Sequence, residues 1–145
     1  MIKSKYWSSK DIPNLRGKTA LITGGNKGLG FQSAKELSKN GAKVVISCRD
    51  VDAGLRAKRK IIAEVPEAEI EVIPLDLTDM ISIRHFSETV KKNYERLDIL
   101  LCNAGVVNLD SRQLTKSGDE MHMATNHFGH FALTGLLLPL IIAAE

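Results

Sequence analysis

Residues 19–30 read Thr-Ala-Leu-Ile-Thr-Gly-Gly-Asn-Lys-Gly-Leu-Gly, an apolar run that leads into a glycine-rich turn. The next residues, 31–39, have the apolar spacing of an amphipathic helix. A strand that enters a helix through glycines brings backbone N–H groups close to a bound pyrophosphate, and the helix dipole favours the negative charge there. The alternative is a strand-to-helix connection that needs glycine only for a positive φ angle. We favour the phosphate-binding interpretation because of the motifs that follow along the chain.

The remaining apolar runs predict an α/β fold. Residues 43–48, 70–74 and 98–102 are apolar enough to form buried strands, and helical patterns separate them. Strands that alternate with helices predict a Rossmann-type, doubly wound parallel sheet with strand order 3-2-1-4. We predict one domain over residues 1–145, with residues 1–18 as an irregular lead-in.

Polar residues mark the expected helix starts. Asp50 can cap a charged helix that ends near Glu64, and Thr78 or Asp79 can cap the next helix. A long helical stretch is predicted from Ser117 onward.

Three further motifs follow the glycine turn in a fixed order. An Asp-Leu pair at 76–77 follows the third predicted strand, and Asn-Ala-Gly at 103–105 follows the fourth. Residues 125–131 then read Thr-Asn-His-Phe-Gly-His-Phe. With glycines spaced as G-x-x-x-G-x-G, this set resembles the short-chain dehydrogenase/reductase family, whose Asn-Asn-Ala-Gly motif has Cys102 here in place of its first Asn. The lead-in and residues 125–134 are most similar to the retinol-dehydrogenase-like branch. The resemblance implies a truncated Rossmann domain over residues 1–145, with a partial sheet that lacks the C-terminal half of a typical member.

The resemblance and the glycine turn together imply a nucleotide site at the carboxyl ends of the strands. Its predicted members are Gly24, Asn26, Lys27, Gly28, Leu29, Gly30, Arg49, Asp76, Leu77, Asn103, Ala104 and Gly105. The glycines permit a tight turn, close approach of the phosphates and packing of the helix on the sheet. The acid at position 76 matches the family's adenine-binding Asp.

The end of the second predicted strand distinguishes NADP from NAD. An acid there would bind the free ribose 2′-hydroxyl, but Cys48 occupies the position and Arg49 follows it. A guanidinium suits a 2′-phosphate, and Lys27 can add a second positive contact. We therefore predict NADP as the cofactor, with NAD disfavoured. The alternatives are a surface ion pair of Arg49 with Asp50 or Asp52, and a solvated turn residue at position 27.

Of the family's catalytic set, the resemblance identifies one residue. Asn126 matches the catalytic Asn, whose carbonyl holds a relay water in the family, whereas the Ser and the Tyr-x-x-x-Lys pair are expected beyond residue 145. Tyr6 and Lys10 have the Tyr-x-x-x-Lys spacing, but they precede the nucleotide-binding strand, so we interpret the match as accidental. His127 and His130 permit a proton-shuttle role. Packing or solvent exposure is the favoured interpretation of both histidines.

Charge and hydropathy argue against other classes of partner. The net charge is only +3, and the basic cluster at 56–60 has no interleaved aromatic residues, so we predict a solvated helix face and no nucleic-acid binding. The apolar stretch at 131–144 is interrupted by polar and helix-breaking residues and is shorter than the ~20 residues of a membrane span. We predict a buried helix there, no membrane span and a cytoplasmic location.

The two cysteines are predicted to be buried, unpaired thiols. Cys48 and Cys102 end predicted strands on either side of the first strand. Two interstrand spacings of about 4.8 Å place their backbones beyond the ~7 Å limit for a disulfide. No His or Cys spacing typical of a metal site accompanies them, so we predict no metal.

The predicted function is that of an NADP-dependent oxidoreductase, represented here by its cofactor-binding half. The resemblance implies that the parent enzyme oxidises small lipophilic alcohols or reduces aldehydes and ketones, while this chain alone is expected to be inactive. The alternative is a non-catalytic nucleotide-binding or interaction protein that uses the half-fold. Because the strand at 98–102 and the apolar helix around residues 136–142 would lack partners, we also expect self-association.

Overall fold

A computed structural model describes residues 6–144 of the chain. Its four strands form one parallel sheet in the order β3-β2-β1-β4, which confirms the predicted fold class and strand order. The strands are β1 (Thr19–Thr23), β2 (Lys43–Cys48), β3 (Ile70–Pro74) and β4 (Ile99–Leu101).

Four α-helices connect or follow these strands. They are α1 (Gly28–Lys39), α2 (Val51–Glu64), α3 (Met80–Asn93) and α4 (Gly129–Ile142). The Asp50 carboxylate caps α2 by accepting a hydrogen bond from the Ala53 N–H at 2.9 Å. Of the two residues predicted to cap α3, Asp79 does so, accepting from the Ile81 N–H at 2.8 Å.

Both faces of the sheet are covered, which explains why its strands are continuously apolar. Leu21 and Val45 face a core shared with α3 and α4, which includes Phe86. Their sequence neighbours Ile22 and Ile46 face the opposite core, against α1 and α2. Side chains alternate between the faces of a strand, so a strand covered on both sides needs apolar residues at every position.

Strand register brings the loops that hold the predicted site residues together. Thr23 at the end of β1 pairs with Ser47, and Ile22 pairs with Leu101. Because the strands are parallel, the residues that follow them emerge at one edge of the sheet. The glycine turn, Arg49 and the Asn-Ala-Gly loop therefore lie next to one another.

The predicted helix start at Ser117 is wrong. Leu114 and Glu120 form an isolated antiparallel bridge, and Gly118 has a φ of +91°, which a helix does not accept. The helical stretch begins at Met121 instead, and its π-helical turn, Met123–Phe128, leads directly into α4. The helix starts later because residues 114–120 form a turn whose backbone groups already have hydrogen-bond partners outside a helix. In this turn the Thr115 N–H donates to the Asp119 carbonyl oxygen at 2.8 Å.

The fourth strand is also shorter than predicted, ending at Leu101. Both cysteines are free, as predicted, but Cys102 lies beyond the strand and is exposed, so the expectation that both are buried is wrong. The side chain of Asp98 at the other end is 6% exposed and bonds the Thr19 N–H at 2.8 Å.

The helical stretch Met123–Ile142 is 20 residues long with a mean hydropathy of 1.2, enough by length and composition to cross a membrane. A core helix packed into a folded domain meets the same criteria, and 33% of its apolar window is buried. Leu133 and Leu137 are fully buried in the core shared with α3, whereas Phe131 and Ile142 are exposed.

Candidate nucleotide-binding site

A cleft of about 130 Å³ lies at the carboxyl edge of the sheet. Seven of the predicted site residues line it, namely Gly24, Lys27, Arg49, Asp76, Leu77, Ala104 and Gly105. The other five, Asn26, Gly28, Leu29, Gly30 and Asn103, lie in the same loops without lining it. Ligand pockets usually measure ~300–1,000 Å³, so this cleft encloses only part of a dinucleotide.

Two glycines of the turn are required by close backbone contacts. Gly24 has a φ of +65°, and a Cβ there would lie 3.0 Å from the Ala104 Cα. A Cβ on Gly30 would lie 2.5 Å from the Gly24 carbonyl oxygen. The third, Gly28, has a φ of +57° but no atom within 4 Å of such a Cβ. The turn is therefore compact at Gly24 and Gly30 and open at Gly28.

Asn103 holds the turn in place through its side chain. The Asn103 Nδ2 donates to the carbonyl oxygens of Thr23 at 2.9 Å and Gly24 at 3.3 Å. The amide is thus used to join the loop after β4 to the end of β1. Its contribution to a nucleotide site is to fix the neighbouring backbone.

Thr23 was not among the predicted site residues, although it begins the glycine motif and lines the cleft. Its Oγ1 accepts hydrogen bonds from the backbone N–H groups of Asn103 at 2.9 Å and Ala104 at 3.0 Å. The same oxygen lies 2.8 Å from Nε2 of the buried His130. The sequence does carry a signal for this residue, because Thr23 places a hydroxyl at the strand end, directly before Gly24.

Arg49 and Lys27 are two exposed cations on the cleft. The predicted alternative, an ion pair of Arg49 with Asp50 or Asp52, is not found among the described residues. Asp50 instead caps α2 and lies 3.7 Å from Arg56 Nη2. Over residues 6–144, neither Arg49 nor Lys27 forms an ion pair. Both charges are therefore available to an anionic ligand.

The carboxylate of Asp76 is held by the residues that follow it. Its Oδ1 accepts from the Thr78 N–H at 2.9 Å and from the Thr78 hydroxyl at 2.7 Å. The Asp76 N–H donates to Ser82 Oγ at 2.9 Å, which ties the loop to α3. The half-buried acid is therefore fixed in orientation at the edge of the cleft.

Asn126 lies in the π-helical turn, and its side chain binds the backbone of Val106. Oδ1 accepts from the Val106 N–H at 2.8 Å, and Nδ2 donates to the Val106 carbonyl at 2.9 Å. The Asn126 main-chain carbonyl lies 3.3 Å from His130 Nδ1. π-Helical turns frequently occur at functional sites, and this one presents Asn126 at the loop that lines the cleft.

Cys48 lines the cleft as a buried thiol. Burial, reinforced by the negative charge of Asp50, raises the pKa of Cys48. Its Sγ donates to the Asp50 carbonyl oxygen at 3.1 Å. Within the described part of the chain, no group of three His, Cys, Asp or Glu side chains is placed to hold a metal ion.

The segment that holds Tyr6 and Lys10 lies away from the cleft. It leads into Leu15, whose N–H donates at 2.8 Å to the carbonyl of Asn40, beyond the C-terminal end of α1. The glycine turn is at the opposite end of that helix. Tyr6 and Lys10 therefore do not line the cleft.

The chain matches known proteins over nearly all of its length. A family model described as short chain dehydrogenase matches residues 18–145. Retinol dehydrogenase 12 of Bos taurus is 46% identical over 124 residues, and retinol dehydrogenase 11 of Mus musculus is 44% identical over 124 residues. The chain therefore belongs to the short-chain dehydrogenase/reductase family. Within that family it is retinol-dehydrogenase-like, as its motifs predicted.

Solved structures agree with this assignment. A protein from Mycobacterium paratuberculosis is 40% identical with a TM-score of 0.81, over 92% of this chain and 46% of that one. A metagenomic short-chain oxidoreductase in complex with NADP is 30% identical with a TM-score of 0.79, over 90% of this chain and 59% of that one. The family consists of oxidoreductases that bind a nicotinamide nucleotide. This chain aligns with 39% of the length of each of the two retinol dehydrogenases, so it spans well under half of either protein.

Proposed function

We propose that this chain forms the NADP-binding part of a short-chain oxidoreductase that oxidises lipophilic alcohols or reduces the corresponding carbonyl compounds. The observation that carries the choice of NADP is the pair of unpaired cations, Arg49 and Lys27, on a cleft where Cys48 replaces the acid typical of NAD sites. The NADP complex of the metagenomic relative supports the same choice.

The residues present fit a dinucleotide by their shape and chemistry. Gly24 and Gly30 let the turn pack closely against the loop after β4, and the open space at Gly28 lets phosphate oxygens approach the backbone of the turn. Asp76 offers an oriented acceptor for the adenine, and Arg49 a fork of donors for the 2′-phosphate. When bound, the nicotinamide exchanges a hydride with the substrate carbon.

The substrate class is inferred from the relatives. Two of them are retinol dehydrogenases by name, and this supports a lipophilic alcohol or carbonyl compound as the substrate of the whole protein. Asn126 is the residue of the described chain that we assign to the catalytic set. Its fixed position against Val106 supports a role in holding the proton relay near the cleft.

Calorimetric titration of the chain with NADPH and NADH tests the cofactor assignment. Each charged hydrogen bond to the 2′-phosphate contributes ~1.5–3 kcal/mol, so Arg49→Asp should weaken NADPH binding by about 10- to 100-fold. NADH affinity should change little, because it has no phosphate at that position.

Arg59→Asp is the matched control. Arg59 is exposed on α2, does not line the cleft and undergoes the same change of charge. We expect it to weaken NADPH binding far less than Arg49→Asp does. Equal affinities of the unmutated chain for NADPH and NADH would overturn the NADP assignment, and turnover assays on the full-length protein would separate an enzyme from a non-catalytic nucleotide-binding protein.

A further inference from the structure

A buried histidine connects two parts of the candidate site that are far apart in sequence. His130 on α4 is 7% exposed. Its Nε2 lies 2.8 Å from the Thr23 hydroxyl oxygen at the end of β1, and its Nδ1 lies 3.3 Å from the Asn126 carbonyl oxygen. The imidazole therefore bridges the nucleotide turn and the helix that carries the catalytic Asn.

The hydrogen-bond partners determine which nitrogen carries the proton. A carbonyl oxygen can only accept, so the contact with Asn126 requires a proton on Nδ1. The Thr23 oxygen already accepts from the N–H groups of Asn103 and Ala104, which occupy both of its lone pairs. Its own hydroxyl proton then has two acceptors within reach, His130 Nε2 at 2.8 Å and the Leu101 carbonyl oxygen at 3.4 Å, and the imidazole nitrogen is the nearer of the two. The neutral Nδ1–H tautomer satisfies every group in this chain of hydrogen bonds.

The surroundings favour that neutral form. Burial lowers the pKa of His130, and the hydrogen bond to the Asn126 carbonyl opposes the shift only in part. Neither partner of the ring, Thr23 or the Asn126 carbonyl, is ionisable. A second ring proton would place three donors on the Thr23 oxygen and would displace the loop N–H groups.

We propose that His130 is a positioning residue, which fixes the Asn126 carbonyl and, through the Thr23 hydroxyl, the Asn-Ala-Gly loop on which nucleotide binding depends. The effect on the nucleotide rests on the proposed function, whereas the hydrogen-bonded chain itself does not. His127, the other histidine of this motif, is exposed and contacts the rings of Phe128 and Phe131. The structure thus separates two histidines that the sequence presents as equivalent.

The ¹⁵N NMR spectrum of the histidine side chains tests the chain without any ligand. In the unmutated protein at neutral pH, we expect a protonated Nδ1 and an unprotonated Nε2 for His130. Thr23→Val removes the hydroxyl proton and should shift the Nε2 resonance, while Thr23→Ser should restore it. A protonated Nε2 in the unmutated protein would overturn the inference.

Nucleotide titration tests the positioning effect. We expect His130→Phe to raise the dissociation constant for NADPH about tenfold, the effect of losing about one hydrogen bond. His130→Gln, which can accept from the Thr23 hydroxyl, should recover part of the affinity, and His127→Phe is the matched control with no expected effect. In a Thr23→Val background, His130→Phe should add little, because both substitutions break the same chain.

The outcomes separate this inference from the proposed function. If the unmutated chain binds no NADPH but has the expected tautomer, the proposed function fails and the hydrogen-bonded chain is supported. If His130→Phe binds NADPH as the unmutated chain does, or if its effect adds fully to that of Thr23→Val, His130 is not a positioning residue.

Discussion

Replacing Gly30 by Ala should destabilise the fold and disrupt the nucleotide turn. A Cβ at this position would lie 2.5 Å from the Gly24 carbonyl oxygen and would also meet the side-chain amide of Asn103. Neither neighbour can move freely, because the Asn103 amide bonds the Thr23 and Gly24 carbonyls. The substitution therefore forces either the backbone of the turn or the loop after β4 to shift.

The expected magnitude combines three effects. Overpacking in a tight interior costs ~1–3 kcal/mol. Loss of the two Asn103 hydrogen bonds would lower the free energy of unfolding by a further ~1 kcal/mol each. The better helix propensity of Ala opposes these losses by up to ~1 kcal/mol. The net expectation is a loss of about 1–4 kcal/mol in the free energy of unfolding, with weaker NADPH binding.

Urea unfolding of two further variants provides the controls. Gly135→Ala lies in α4 with no atom within 4 Å of the new Cβ, and it should stabilise the fold by ~0.5–1 kcal/mol. Gly28→Ala should cost ~1 kcal/mol from its positive φ alone. If Gly30→Ala unfolds at the same urea concentration as the unmutated chain, or at a higher one, the close packing of the turn is refuted.

Three further predictions concern charge and association. Burial would raise the pKa of Asp98, but the hydrogen bonds from Lys18 and Thr19 hold that pKa below its usual value. The ionised carboxylate therefore stabilises the fold fully above pH ~4, and this contribution is lost as the pH falls through the lowered pKa. In urea unfolding, Asp98→Asn should lower the free energy of unfolding by about 1–2 kcal/mol at neutral pH and leave it unchanged in strong acid. An equal loss at both pH values would contradict this prediction. The Glu120 carboxylate caps the start of the last helical stretch by accepting from the N–H groups of His122 at 3.0 Å and Met123 at 2.9 Å, and these hydrogen bonds lower its pKa to about 2. Glu120→Gln should therefore reduce helicity by circular dichroism at neutral pH, with a difference that disappears towards pH 2. A pH-independent difference would refute this capping role. Phe131 is 76% exposed on α4, so sedimentation should show self-association of the chain, and Phe131→Lys should reduce it. A monomer throughout the micromolar range would exclude self-association through this helix.

The sheet could be predicted from the sequence because its physical determinants are local. Parallel strands covered on both faces are continuously apolar, and the predicted ranges 43–48 and 70–74 coincide with β2 and β3. The cap of α2 at Asp50 was also predictable. A short acidic side chain directly before a helical pattern can accept a hydrogen bond from an N–H group of the first turn, which has no partner within the helix.

The contacts that complete the site could not be predicted in this way. Thr23 and His130 are 107 positions apart, and their hydrogen bond exists only because α4 packs across the end of β1. The helix before Asn126 was predicted too early because the bridge between Leu114 and Glu120 competes with helical hydrogen bonding. The sequence also could not decide whether Arg49 pairs with a neighbouring acid, because that depends on side-chain geometry. In the structure, the Asp50 carboxylate contacts the Ala53 N–H and the Arg56 guanidinium instead.

The most direct test of a nucleotide site at the carboxyl edge of the sheet is a backbone NMR titration of the ¹⁵N-labelled chain with adenosine 2′,5′-bisphosphate. This probe carries the adenine and the 2′-phosphate without the nicotinamide, so it isolates the contacts assigned to Arg49 and Asp76. We expect saturable shifts at Gly24, Arg49, Asp76 and Gly105, with weaker binding of adenosine 5′-monophosphate. Shifts confined to residues outside the cleft, or none at millimolar probe, would contradict the account.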